Sequence, residues 1–332
     1  MSAHEILIAV MAAFAAVGAL DRILGNRLGL GEPFEEGILA MGTLALAMLG
    51  IISLAPVLAN LLNPVVVPVY RFLGADPAMF AGTILACDMG GGQLAQQMSS
   101  DPDAALLGGV LCGSMLGATI VFTIPVGLLV GGLVAGFPIL MVLRNLIPIV
   151  IIGALIVVGL LFAEKAMIKG FGYFGKGIVA LITLGLGAAI VEALTGFVII
   201  PGMAPLSEGF ETVGAIAIVL AGAFPLVHVV TKLLRKPLMA LGKRLGVNDV
   251  AAGGLIATLA NSIATFERVK DMDQRGKVVN IAFAVSAAFV FGDHMGFTAG
   301  FAPTMLTPMI IGKLAGGISA VAVALLLTRK KA

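Results

Sequence analysis

The chain reads as an all-α polytopic membrane protein, and three features carry that reading. Of its 332 residues, 60% are hydrophobic and only 11% charged, with a mean hydropathy of +1.12; a water-soluble domain is far more polar than this. Apolar runs of about 20 residues, enough to cross a hydrocarbon core of about 30 Å, recur from end to end. The sequence also repeats itself. Displaced by 172 positions (208 − 36 = 172), EGILAMGTLALAMLG (Glu36 to Gly50) lies on EGFETVGAIAIVLAG (Glu208 to Gly222), and LGADPAMFAGTILA (Leu73 to Ala86) lies on LGVNDVAAGGLIAT (Leu245 to Thr258). After seven residues of drift, GSMLGAT (Gly113 to Thr119) meets GDHMGFT (Gly292 to Thr298). A duplicated membrane chain of this kind is a transporter pattern.

Taken in order, the expected spans are Ile6 to Leu24, Gly37 to Leu61, Ala104 to Ile124, Val126 to Leu143 and Leu146 to Phe162, then Ile178 to Ile200, Val213 to Leu234, Val278 to Gly300 and Thr304 to Thr328. The first follows MSAHE, which lacks the basic stretch of a cleaved leader, and is read as a retained helix. Two further stretches, Met79 to Met98 and Ala251 to Phe266, are apolar but interrupted by polar residues and glycine, which makes them broken or re-entrant hairpins. The total is about 9 to 11 crossings. The expected organisation is a first repeat over 1–143, a connecting helix and loop over 144–170, and a second repeat over 171–332.

Lys and Arg set the orientation. They gather in Lys165 to Lys176, Lys232 to Arg244, Arg268 to Lys277 and Arg329 to Lys331, which places these segments and the C-terminus in the cytoplasm. Ala251 to Phe266 then has both ends inside. Met79 to Met98 is flanked by Arg71 on one side and by Asp101 and Asp103 on the other, so it should enter from outside. Two homologous halves of opposite orientation form an inverted-topology repeat.

Ionisable residues at membrane depth point to function. Asp88 stands beside Gly90, Gly91 and Gly92 and is followed by Gln93. The glycines let the chain turn and bring its backbone close to a ligand, and the carboxylate needs a cation; capping of the half-helix that follows is the bland alternative. Asn261 and Ser262 lie close to the repeat-related position, and Asp293 and His294 sit between glycines in FGDHMGFTAG. For the last two, a mutual pairing at a helix end is the structural alternative, and His294 reads equally as a satisfied imidazole or as a proton carrier. Glu36, Glu192, Glu208 and Glu211 read as solvated helix ends, and Lys232 to Arg244 as a topogenic cytoplasmic face. Cys87 and Cys112 form neither a disulfide framework nor a metal-ligand spacing.

FEEGILAMGTLALAMLG (Phe34 to Gly50), LAPVLANLLNPVVVPVY (Leu54 to Tyr70) and above all GADPAMFAGTILACDMGGG (Gly74 to Gly92) resemble the ethanolamine-utilisation permease family, EutH. The resemblance continues through GSMLGATIVFTIP (Gly113 to Pro125) and more loosely over most of the chain. It implies ethanolamine as substrate, the bacterial cytoplasmic membrane as location and no cofactor, and it carries over to the Asp88 motif. Where the family pattern has a second apolar or aromatic residue after the glycine pair, this chain has Gly92 and Gln93. The chemistry agrees with a small ammonium bearing one hydroxyl. Asp88 with glycine carbonyls suits the ammonium, Asn261 or Ser262 suits the hydroxyl, and with tryptophan absent any aromatic contact falls to Phe.

A membrane-embedded enzyme using Asp88 and Asp293 is the competing class. Against it, Phe291 to Asp293 has no tyrosine–aspartate partner motif, and neither HExxH nor G-x-S-x-G occurs. A sensor predicts a soluble signalling domain, which the chain has no hydrophilic stretch to form. The partners implied are ethanolamine and the lipid bilayer, without nucleic acid. A facilitator, a proton- or sodium-coupled carrier and a homo-oligomer all remain compatible with the sequence.

Overall fold

The structure is a computed structural model that describes residues 2–85, 91–115 and 123–328. Asp88 and Gly90, together with Cys87, fall outside the described residues. Among those described there are thirteen α-helices and no strand. They are α1 (Ala3–Ile23), α2 (Gly31–Phe72), α3 (Ala78–Ile84), α4 (Gly91–Met98), α5 (Pro102–Leu106), α6 (Thr123–Val134), α7 (Ile139–Thr195), α8 (Leu206–Leu245), α9 (Asp249–Ala260), α10 (Ser262–Glu267), α11 (Gln274–Ala287), α12 (Asp293–Phe301) and α13 (Leu306–Leu327). A π-helical turn, Leu107–Cys112, extends α5. Five segments are long and apolar enough to cross a membrane: α1, α2, α7, Leu206–Leu233 and Pro303–Leu327. The chain is an all-α polytopic membrane protein.

The breaks differ from the expected spans for identifiable reasons. Gly136, at φ 82°, follows the end of α6 and divides the stretch Val126 to Leu143. Gly196, at φ 71°, caps α7 at Thr195, short of Ile200. The expected spans Leu146 to Phe162 and Ile178 to Ile200 fall on the two arms of α7, two helices that meet at a non-helical kink at Ala163 (φ −143°, ψ 41°), where Gly159 packs on Met167. Val278 to Gly300 is two helices, because α11 stops at Ala287 and α12 starts at Asp293. By contrast α2 continues past Pro56, Pro64 and Pro68. Each proline removes one backbone donor, a loss that membrane helices tolerate where neighbouring protein or local adjustment satisfies the freed carbonyl.

The chain folds into two compact units, each assembled from separate stretches: 1–39, 122–135 and 216–332 form one, and 40–121 with 136–215 form the other. In the first, α13 is the central helix, packed on α6 and α11. The approach is close because Gly312 lies against the Gly127 carbonyl and Gly131, and Gly317 against Phe283 and Ala287. The buried Asp21 accepts from the amides of Leu28 (2.8 Å), Leu30 (2.8 Å) and Gly31 (3.0 Å) and so fixes where α2 begins. In the second unit α3 packs on the π-helical turn and on α4.

Close glycine contacts occur in both units at glycines 172 positions apart, their partners offset by 171 or 172. A Cβ at Gly50 would fall 1.9 Å from the Ile182 carbonyl oxygen, and one at Gly222 2.1 Å from that of Met11. Gly82 faces the Gly108 backbone, and Gly254 faces Asn280. Gly37 abuts Ala221, and Gly209 abuts Leu49. The internal repeat is therefore a repeat of packing as well as of sequence.

Candidate functional site

In the unit that contains α8 to α13, two broken helices are stitched together at their breaks. Helix α9 ends at Ala260, and Asn261 (φ −153°, ψ 118°) is extended before α10 begins. A helix that stops leaves its last carbonyls without intrahelical partners. Here the amide of Phe289 donates to the Thr258 carbonyl (3.0 Å) and that of Phe291 to the Leu259 carbonyl (2.9 Å). Those amides come from the break between α11 and α12, so each interruption satisfies the other. Phe289 adopts φ 58°, uncommon for a residue with a side chain. Gly292 lies so close to the Ala260 carbonyl that a Cβ there would come within 2.1 Å of its oxygen. Inside α9 the fold is held by Thr265, whose hydroxyl donates to the Gly254 carbonyl (2.9 Å) while accepting from Thr258 (2.8 Å).

A cavity of about 640 Å³ opens at these breaks. Ala260, Asn261, Phe291, Gly292 and Asp293 form one wall. Phe224, Val227, His228, Thr231 and Lys232 form another, and their spacing puts them on one face of α8. Pro33 and Glu36, at the start of α2, complete it. Glu36, His228 and Lys232 are exposed, whereas Asp293 is only partly accessible and begins α12. The Asp293 carboxylate has no hydrogen bond or ion pair among the described residues. Asn261 caps α10, its Oδ1 accepting from the Ile263 amide (2.8 Å), so its NH₂ is left to donate.

Of the expected site residues, Asn261 and Asp293 meet in this cavity. Ser262 is buried and does not line it. His294 points away into the core, 1% exposed, with its ring 5.3 Å from that of Phe289. Gly91, Gly92 and Gln93 begin α4 in the other unit. There the backbone of Gly92 lies against Gly109, and Gly91 against Ala81 and Leu85, so these glycines serve close helix packing. Near the base of that hairpin a second cavity, about 440 Å³, is lined by Asp76, Asp101, Arg144 and Asn145 among others. The Asp76 amide donates to Asn145 Oδ1 (2.6 Å), and Asp76 Oδ1 accepts from the Ala78 amide (2.8 Å).

Sequence reasoning passed over several residues. Glu36 and Lys232 looked like solvated helix ends, and their part in the cavity comes from where α2 and α8 lie. The i, i+4, i+7 spacing of Phe224, His228 and Thr231 was a readable signal. Lys313 was the plainest omission: a single cation within Thr304 to Thr328, now seen to be completely buried (0% exposed).

Crossed broken helices, an unwound backbone and a carboxylate at a half-helix start, all in a multi-pass helical protein, define a transporter-type membrane protein. The family model described as "Ethanolamine utilisation protein, EutH" matches residues 3–130 and 123–327, and the chain belongs to this family. A protein of Listeria monocytogenes named "Probable ethanolamine permease EutH" is 56% identical, the match covering 99% of this chain and 95% of that one. Its namesake in Escherichia coli K12 is 44% identical over 100% of this chain and 97% of its own. An uncharacterised Bacillus subtilis protein, YxeR, is 48% identical over 99% and 96%. The family is named for permeases and not for an enzyme. No solved structure matches the chain.

Proposed function

We propose that this protein carries ethanolamine, as the protonated amine, across the bacterial cytoplasmic membrane to feed its breakdown inside the cell. The observation that carries this reading is the Asp293 carboxylate, unpartnered among the described residues, in a cavity where two helices are interrupted. A carboxylate at membrane depth costs several kcal/mol unless a cation joins it, and a primary ammonium supplies both the charge and three donors. In this reading the Asn261 NH₂ donates to the hydroxyl at the other end of so short a molecule. Phe224 and Phe291 give apolar and cation–π walls. The names of the relatives point to the same substrate.

In this reading Asp88, with Gly90 to Gly92 and Gln93, also binds the ammonium substrate, and the halves 1–143 and 171–332 lie in opposite orientations with the C-terminus in the cytoplasm. The test is uptake of labelled ethanolamine into proteoliposomes held at a pH where the amine is protonated. Asp293→Asn should reduce uptake to the level of protein-free vesicles while the protein still inserts and remains monodisperse. Undiminished uptake by Asp293→Asn at low substrate would remove Asp293 from the site.

A further inference from the structure

The cavity at the crossing of the broken helices carries opposite charges along its length. Gly296, one turn after Asp293 on α12, packs on Leu220 of α8, and Gly37, next to Glu36 on α2, abuts Ala221. The elements that bear the two carboxylates thus meet α8 at one level, about one turn before Phe224. His228 and Lys232 follow Phe224 on the same face of α8, about 6 and 12 Å further along its axis, and the Thr231 hydroxyl belongs to the same stretch. The cavity therefore runs from an acidic end to a basic one. Among the described residues the side chains of Glu36, His228 and Lys232 make no hydrogen bond or ion pair, with one another or with Asp293.

Ethanolamine makes use of the acidic end alone. It has only four non-hydrogen atoms, whereas a cavity of about 640 Å³ belongs to the class that takes drug-sized ligands, about 300–1,000 Å³. Lys232 works against such a substrate, because its charge repels an ammonium in the same cavity. What the basic end does suit is an anion with several oxygens, to which it offers an ammonium, an imidazole N–H and a hydroxyl. A phosphate on the ethanolamine oxygen joins the two ends. Its ammonium stays at Asp293, its ester oxygen remains an acceptor for the Asn261 NH₂, and its phosphoryl oxygens extend toward His228, Thr231 and Lys232. An amino acid fits less well, since its carboxylate stands one carbon from the ammonium and would lie beside Asp293, where like charges repel.

We infer that the cavity binds phosphate esters of ethanolamine as well as ethanolamine, with Lys232 and His228 holding the phosphate, and that a bound ester shuts ethanolamine out because both occupy Asp293. Lys232 is then the residue that selects for the ester. A free phosphate ester and the headgroup of phosphatidylethanolamine present the same ammonium and phosphate, so either source supplies this chemistry. The inference rests on the proposed binding of ethanolamine at Asp293.

The experiment displaces labelled ethanolamine from the purified full-length protein in detergent with O-phosphoethanolamine, and with serine for comparison. On wild-type protein O-phosphoethanolamine should act at a concentration about tenfold below that of unlabelled ethanolamine, the gain from one added charge-assisted contact, and serine should be ineffective. Lys232→Met should lose about tenfold for the ester while holding ethanolamine at least as tightly, because a repelling charge has gone. Misfolding cannot produce these opposite shifts. Lys232→Arg, which keeps a phosphate-binding charge, should retain the ester. Nanodiscs separate the sources: weaker ethanolamine binding in phosphatidylethanolamine than in phosphatidylcholine, relieved by Lys232→Met, adds the lipid headgroup as a ligand, and equal binding in the two confines the site to the free ester. Ethanolamine binding that O-phosphoethanolamine does not displace, displacement by serine equal to that by the ester, or an equal loss of both ligands in Lys232→Met overturns the inference and leaves the substrate reading standing. Failure of wild type to bind ethanolamine at all overturns both.

Discussion

Gly292 is the residue on which the crossing of the two broken helices depends. A methyl group there would meet the Ala260 carbonyl oxygen at 2.1 Å, and that carbonyl belongs to backbone already tied through Thr258 and Leu259 to Phe289 and Phe291. Backbone cannot yield as a flexible side chain does, so Gly292→Ala should part the breaks and lower stability by about 1–3 kcal/mol, the usual cost of overpacking. Gly253, on α9 a few residues away, has nothing within 4 Å of its would-be Cβ. Gly253→Ala should be neutral or gain up to about 1 kcal/mol from helix propensity. Thermal unfolding of the two variants in the same detergent compares them directly, and equal melting temperatures would show that the close approach at Gly292 is not needed.

At the scale of elements, helix starts are where the two repeats diverge chemically while keeping one geometry. Asp76 and Asn248 are repeat-related (248 − 76 = 172) and both cap the helix that follows. Asp101 caps α5 and its counterpart Asp273 caps α11. In one copy the Asn248 amide donates to Asp273 Oδ1 (2.8 Å), whereas in the other the Asp76 amide turns to Asn145 on α7. Burial pushes the Asp76 carboxyl up from the usual aspartate range, and the Asp101 charge adds to this, against the Ala78 and Ser99 hydrogen bonds and Arg71. A carboxyl raised in the folded state favours folding most at pH below its unfolded value, and that contribution is lost as pH rises through the folded value. Asp76→Asn keeps the capping oxygen and cannot ionise. It should leave stability unchanged at acid pH and raise it at neutral pH, by no more than about 1 kcal/mol given the partial exposure of Asp76. Melting curves at the two pH values check the sign, and destabilisation at neutral pH would mean that the charge itself holds the hairpin base.

For the whole molecule the duplication makes a prediction about sidedness. The tight contacts at Gly50 and Gly222, Gly82 and Gly254, and Gly37 and Gly209 recur at glycines 172 positions apart. In the proposed inverted arrangement, read from the loop charges, the two sequence halves run in opposite senses. In a background with Cys87 and Cys112 replaced by Ala, a cysteine at Ser99 should react with an impermeant maleimide from outside intact cells, and one at Gln274 only after permeabilisation. Labelling of both from the same face would mean that the copies run parallel.

Much was legible in the sequence because lipid imposes a simple rule. A membrane-spanning segment has to be apolar over a fixed length and satisfy its backbone internally, so composition alone predicted an all-α multi-pass protein and placed α1 and α13 closely, while α2 extends past both ends of its expected span. The duplication and the interruption at Asn261 were legible for a similar reason, since polar residues and glycines stand out against so apolar a background. Asp293 stands out in the sequence as an ionisable residue at depth, and Lys313, the one cation within Thr304 to Thr328, stands out by the same rule. What only the tertiary structure decided was which elements share a core and which polar groups meet. The two compact units each take stretches from both sequence halves, an exchange that no local pattern encodes because it depends on which helix covers which glycine. The break after Ala287 was missed because AVSAAFVFG is as apolar as any helix. At that break the amides of Phe289 and Phe291 donate to the Thr258 and Leu259 carbonyls at the end of α9 instead of along their own helix. The cavity exists only where those two breaks cross, and so Glu36, Phe224 and His228, distant in sequence and ordinary in context, reach Asp293 through packing alone.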